Sequence, residues 1–227
     1  MSFRYELKRQ HEKIGPMELE IECLKDLNQT IDDLFAELER TGNASLLEEL
    51  CPYFGTVWPS ARALAETLVE RKESFAGKRI LEVGCGLAIP SLVAAKLGAE
   101  VVATDFHPEV PRFLESNLAI NQVSSVRYER IDWSKGFPDL GKFDWVIGSD
   151  ILYERQHALL LARVVSQYMG QGNKEGGRAL ITDPARPYLQ AFLDEMTHLG
   201  AKYVTSVRTA EDRPVSKDIF VVELHRP

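Results

Sequence analysis

Glu82, Gly84, Gly86 and Ala88 occupy every second position of one short stretch, and Asp105 follows 21 residues after Gly84. Two glycines this close allow positive φ and leave no Cβ between backbone amides and a ligand. In an α/β fold, an acid about 20 residues beyond such a turn supplies the carboxylate that holds ribose hydroxyls. The third glycine of a dinucleotide fingerprint would stand at position 89, which is Ile89. Glu82 lies inside the strand before the turn, where its carboxylate repels a pyrophosphate but tolerates a cationic amino-acid group. Asp105 also has a structural reading, as a cap for the helix after Pro108.

The elements that position these residues alternate from residue 77 onward. Apolar runs predict strands at 79–84, 100–105, 126–131, 143–149 and 178–182, and helical spacing predicts helices at 88–97, 109–120, 156–169 and 187–199. Such alternation implies a mostly parallel sheet covered on both faces. Two last strands, near 202–208 and 218–225, have no helical pattern between them and read as an antiparallel pair joined by Glu211-Asp212-Arg213-Pro214. Ligands of open parallel sheets lie beyond the carboxyl ends of the strands, so strand ends become site candidates. They are Gly84-Cys85-Gly86 after the first, Asp105-Phe106 after the second, Asp132-Trp133 after the third, Ser149-Asp150 with Tyr153 after the fourth, and Asp183 with Arg186 after the fifth.

The motif resembles that of the class I, seven-strand S-adenosylmethionine-dependent methyltransferases, acid-x-Gly-x-Gly-x-(Gly/Ala), matched by Glu82, Gly84, Gly86 and Ala88. The resemblance implies a doubly wound, mostly parallel sheet of order 3-2-1-4-5-7-6 with the last strand antiparallel, and S-adenosyl-L-methionine as cofactor. Glu82, Gly84, Cys85 and Gly86 would then serve its amino-acid part, Asp105 its ribose, and Phe106 its adenine face. Asp132 can accept the exocyclic amine and Trp133 cover the ring, a reading that their place in the alternating order favours over a cap and a core tryptophan. Ser149 belongs to the same side. Asp150-Ile151-Leu152-Tyr153 is similar to the Asp-x-x-Tyr pattern of the protein-lysine methyltransferase subgroup, as Pro52-Tyr53-Phe54-Gly55-Thr56-Val57-Trp58-Pro59 is to its Trp-containing segment. This implies Trp58 at the cofactor and Asp150 and Tyr153, the catalytic candidates, at the methyl acceptor. The structural alternatives are a loop cap for Asp150 and an edge shield for Tyr153. Asp183 and Arg186 bind substrate or stabilise a turn.

Of 227 residues, 34 are acidic and 27 are Lys or Arg, a net charge of −7, which argues against a nucleic-acid substrate whose phosphates need a basic face. Cys23, Cys51 and Cys85 have no metal spacing, and their odd number suits a reducing, cytoplasmic setting. No run reaches the roughly 18 apolar residues of a membrane span. Residues 1–50 read as an N-terminal helical extension to a methyltransferase domain at 51–227. Leu24, Leu27, Ile31, Leu34 and Leu38 form one helix face that packs on the domain, lids the site or meets a partner. The function expected is N-methylation of a protein lysine. A small-amine or nicotinamide-like acceptor is the alternative, and a non-catalytic cofactor-binding module is a third reading.

Overall fold

Residues 7–24, assigned above to the helical extension, are strands in the computed structural model, which describes residues 3–170, 176–212 and 215–226. β1 (Leu7–Ile14) and β2 (Met17–Leu24) pair antiparallel around Gly15, whose φ of 57° is the left-handed value this tight turn needs. The physical reason is a period of two: Leu19, Ile21 and Cys23 are buried while Glu18 and Glu20 face water. The expected helix holds only from α1 (Leu27–Arg40) onward. Leu24 ends β2 rather than opening the helical stripe, and Asp26 starts α1 by accepting the Gln29 amide at 3.0 Å.

Turns and the short α2 (Leu47–Leu50) lead to α3 (Pro59–Glu70), with proline at its first position. The alternation then runs β3 (Arg79–Val83), α4 (Ile89–Lys96), β4 (Glu100–Asp105), α5 (Val110–Ile120), β5 (Val126–Arg130), β6 (Trp145–Ser149), α6 (His157–Tyr168), β7 (Arg178–Asp183), α7 (Leu189–His198), β8 (Lys202–Asp212) and β9 (Val215–His225). The seven-stranded sheet has the order β5-β4-β3-β6-β7-β9-β8, with β9 antiparallel to both neighbours. Counted from β3, that is the expected 3-2-1-4-5-7-6. Successive residues of a strand serve opposite faces: Ile80 and Val101 join the cluster containing Leu64 and Leu92, while Leu81 and Val102 join that containing Leu161 and Phe192. The sheet is therefore buried on both sides, as a parallel sheet requires.

The hairpin of β1 and β2 contributes Leu19, Ile21 and Leu24 to the first cluster. Its second strand would leave its outer backbone groups unpaired, and two asparagines one turn apart on and just past α5 act as the missing neighbour. Asn117 accepts the Glu22 amide at 2.7 Å and donates to the Glu22 carbonyl at 3.2 Å, and Asn121 does the same for Glu20 at 3.1 and 2.8 Å. Buried Glu12 and half-buried Arg62, paired at 2.7 Å, tie β1 to α3.

Two features position the site. The chain leaves β3 toward β4 on one side and later returns to β6 on the other, creating the switch point where ligands lie. In addition, β7 pairs with β9 only as far as Asp183 opposite Phe220, whereas β8 and β9 continue pairing to Asp212 opposite Val215. The arm thus projects past the strand ends. The Arg213-Pro214 part of its expected turn lies outside the described residues.

Candidate active site

A cleft of about 1520 Å³ opens at the carboxyl ends of the strands, lined by Gly84, Cys85 and Gly86 of the turn after β3 and by residues following β4, β5, β6 and β7. At Gly84, φ is 64°, and a Cβ would stand 2.6 Å from Ile151 Cγ2. Gly86 has φ 51°, and its Cβ would meet the Phe54 carbonyl oxygen at 3.0 Å. Ala88, the third small position of the motif, also takes a left-handed φ of 58° just before α4. The sequence thus has small residues where the turn demands them.

Asp105 closes this turn from the next strand. Its Oδ2 accepts the Gly86 amide and its Oδ1 the His107 amide, both at 3.0 Å. Burial pushes its carboxyl above the usual range, against which these amide bonds act. An ionised carboxylate has about four lone-pair sites, so both oxygens keep capacity for a diol. Phe106, Asp132 and Trp133 line the same half. Asp132 accepts from Ser134 N at 2.9 Å and Ser134 Oγ at 2.6 Å, and pairs with Lys135 at 2.9 Å. Burial raises its pKa, but these partners outweigh burial and leave it lowered. Trp58 lies across the cleft, its Nε1 donating to the Tyr53 carbonyl at 3.0 Å, and Ser149 lines the wall between the two halves.

Glu82 departs from expectation. Its side chain is fully buried and does not line the cleft. One oxygen accepts the Ser91 amide at 3.0 Å and the Ser91 hydroxyl, while Oε1 has no hydrogen bond among the described residues. Burial pushes the carboxyl up to about 8, with Asp105 adding to the rise. Glu82 therefore clamps the first turn of α4 behind the glycine turn. Its hydrogen bonds to Ser91 brace the backbone of the turn that lines the cleft.

The other half of the cleft gathers Asp150, Tyr153, Tyr53 and Arg186. Asp150 is 8% exposed and holds φ 59° at the turn after β6. Its Oδ1 receives Arg186 Nε at 2.9 Å and also Arg186 Nη2. The Arg186 side chain is thus paired with Asp150, while its backbone forms the turn-stabilising pair with Asp183. Asp183 accepts the Arg186 backbone amide at 2.6 Å, and burial raises its carboxyl to about 6. Tyr153 is 41% exposed, with ring centroids 6.1 Å from Tyr53 and 4.6 Å from His157. His157, to which the sequence alone assigns no role, donates Nδ1–H to the Ile151 carbonyl at 3.1 Å and meets Trp133 edge-on at 5.5 Å. Its place four residues after Tyr153, at the start of α6, is the available signal. Glu48, Glu49 and Asp218 also line the cleft, brought by segments too distant in sequence to be assigned to it.

Among solved structures, the chain is similar to the T. thermophilus 16S rRNA N2 G1207 methyltransferase in complex with AdoMet and guanosine. That likeness has a TM-score of 0.66 at 16% identity and covers 97% of this chain and 51% of the other. It is also similar to the N-methyltransferase NodS of Bradyrhizobium japonicum in complex with S-adenosyl-L-homocysteine, with a TM-score of 0.60 at 15% identity, covering 81% and 97%. These likenesses place the fold among the class I methyltransferases. The chain belongs to the lysine methyltransferase family, whose model matches residues 50–196. The family's methyl donor is S-adenosyl-L-methionine. Curated relatives include the Xenopus laevis histone-arginine methyltransferase METTL23, 35% identical over 53% of this chain and 55% of that protein. The Arabidopsis thaliana calmodulin-lysine N-methyltransferase is 30% identical over 65% and 51%. The chain spans about half the length of these relatives.

Proposed function

We propose that the protein is an N-methyltransferase acting on a lysine side chain of a protein. The observation that carries this reading is the open acceptor half. Tyr153 and Tyr53 are 41% and 45% exposed, and residues 17–40 contribute only Ile31 to the lining, so an amine borne on a protein surface can enter. Exposed Glu48, Glu49 and Asp218 line the cleft and attract a cationic side chain. Relatives named for lysine methylation, such as the Danio rerio METTL21A at 34% identity over 43% of this chain, support the same class.

The residues present fit the methyl donor. The positive-φ turn at Gly84 and Gly86 offers backbone to its amino-acid part, Asp105 keeps acceptor capacity for its ribose, and Asp132 with Trp133 and Phe106 would hold adenine, with Trp58 and Ser149 flanking. When bound, it supplies an electrophilic methyl group on a sulfonium. Transfer is an in-line displacement by a neutral amine held about 3 Å from that carbon. Asp150 orients the amine through a hydrogen bond, and Tyr153 offers a hydroxyl and a π face to the nitrogen. Burial pushes the Tyr153 hydroxyl well above its ordinary range, so it acts as a neutral donor.

Labelled cofactor incubated with the protein and cell lysate tests the assignment. Acid hydrolysis of the labelled protein fraction should yield methyl-lysine. Label confined to small molecules would favour the small-amine reading, and methyl-arginine would align the chain with the histone-arginine relative.

A further inference from the structure

We propose that Arg186 is a positioning residue that makes the acceptor site take a neutral amine, by cancelling the charge of Asp150. This rests on the reading of the cleft as an N-methyltransferase site. Two loops 36 residues apart meet in this one ion pair. Asp150 and Ala185, the residue before Arg186, are both non-glycine residues in the left-handed region, at φ 59° and 62°. Strain of this kind persists only where the surroundings over-determine it, and it clusters at functional sites. Both Arg186 bonds fall on Oδ1, so Oδ2 carries no hydrogen bond among the described residues.

A bare buried carboxylate beside the acceptor would stabilise the ammonium form, since an opposite charge within about 4–6 Å favours the charged state. That form has no lone pair to attack with. Pairing with Arg186 offsets the Asp150 charge and leaves Oδ2 to accept one N–H of a neutral amine. The proton goes to solvent before the amine seats. The N–C bond then forms as the C–S bond breaks with its electrons on sulfur, and the product leaves as a methylammonium ion.

Other charged groups surround the pair. Asp183 is fully buried at the end of β7 and does not line the cleft. From the start of α6 come half-buried Glu154 and His157, the latter held below its usual range by burial. Exposed Glu48 and Glu49 face the cleft from the N-terminal segment, and exposed Lys217 and Asp218 face it from the β8–β9 arm. Exposed charges are screened by water and salt, so they guide a cation to the mouth while buried Asp150 with its half-buried Arg186 partner sets the protonation state at the floor. Burial holds Cys51 and Tyr153 above their ordinary ranges, as the contact with Cys51 does Tyr53.

The test titrates n-butylamine, which mimics the lysine side chain, into the S-adenosylhomocysteine complex of the full chain between pH 7 and 9. Below an amine pKa of about 10.4 the neutral fraction rises tenfold per pH unit, so wild-type affinity should rise tenfold per unit. Arg186→Gln should bind more tightly than wild type at pH 7, with almost no pH slope, and Arg186→Lys should restore the slope. A flat wild-type profile, absent amine binding, or a wild-type slope in a folded Arg186→Gln protein overturns the proposal. The wild-type slope decides even if Arg186→Gln does not fold. Wild-type protein that fails to bind S-adenosylhomocysteine would instead overturn the reading of the site itself.

Discussion

In the cofactor half, Asp105 reaches back 19 residues to Gly86 within one β–α–β unit; in the acceptor half, Asp150 reaches 36 residues forward to Arg186 on another loop. The first half is a backbone cradle braced by carboxylates, and its shape follows from small residues at fixed spacing. The second is assembled from side chains that depend on tertiary folding, with half-exposed tyrosines at its mouth. The difference teaches that binding the donor is a local property of the chain, whereas choosing the acceptor is a property of the whole fold.

If the cradle is a pre-built part of the core, its cost should appear in stability, and Glu82 is where to look. Its folded-state pKa of about 8 lies above the unfolded value of 4.5, so the native state holds a proton that the unfolded chain releases. Its contribution is complete below about pH 4.5 and is lost as pH rises toward 8, by up to about 1.4 kcal/mol per pH unit. Asp183, also raised, acts with the same sign over a narrower window. Denaturant unfolding at pH 5, 6.5 and 8 should show stability falling for wild type and falling less for Glu82→Gln. Identical slopes in the two proteins would mean that Glu82 is not buried as a neutral acid.

Asp105→Ala strikes the cradle at its ligand side. Losing the hydrogen bonds from a charged acceptor to the ribose should cost about 2–4 kcal/mol, a drop of roughly 30-fold or more in S-adenosylhomocysteine affinity by calorimetry. The comparison sharpens if Asp150→Ala and Tyr153→Phe reduce turnover by roughly tenfold (~1.4 kcal/mol) or more while that affinity stays within a few-fold. Collapse of cofactor binding in a folded Asp150 or Tyr153 variant would merge the two halves.

The same contrast explains what could be read from the residues. Gly84, Gly86, Ala88 and Asp105 announced their arrangement because a tight turn and a strand end are specified within a few positions. The strand order was legible through alternation of apolar runs and helical stripes. Glu82 was placed correctly in its strand, but its face was not, since being inside a strand does not say which side the carboxylate takes. The β1–β2 hairpin is not legible from the leucine stripe that follows it, and its edge is completed by Asn117 and Asn121, about a hundred residues away. Arg186 was noticed, but its partner was not, because nothing local links the ends of β6 and β7.

The smallest expected effect separates strain that serves packing from strain that serves the acceptor. Ala88 and Ala185 both hold left-handed φ, which costs an L-residue about 1–2 kcal/mol. Replacement by glycine relieves that cost but adds about 0.4–1 kcal/mol of unfolded-state entropy. Ala88 is fully buried, so Ala88→Gly also loses about 0.8 kcal/mol of methyl burial and should be neutral or slightly destabilising. Ala185 is exposed and loses no such contact, so Ala185→Gly should stabilise by up to about 1 kcal/mol, a rise of roughly 2–4 °C in Tm. If the strained turn exists to aim Arg186 at Asp150, the looser glycine backbone should also lower turnover several-fold without changing S-adenosylhomocysteine affinity. Calorimetric melting and a turnover assay on the two variants check this. Ala185→Gly that destabilises, or that gains stability with unchanged turnover, would show the turn to be ordinary loop geometry with no bearing on the acceptor.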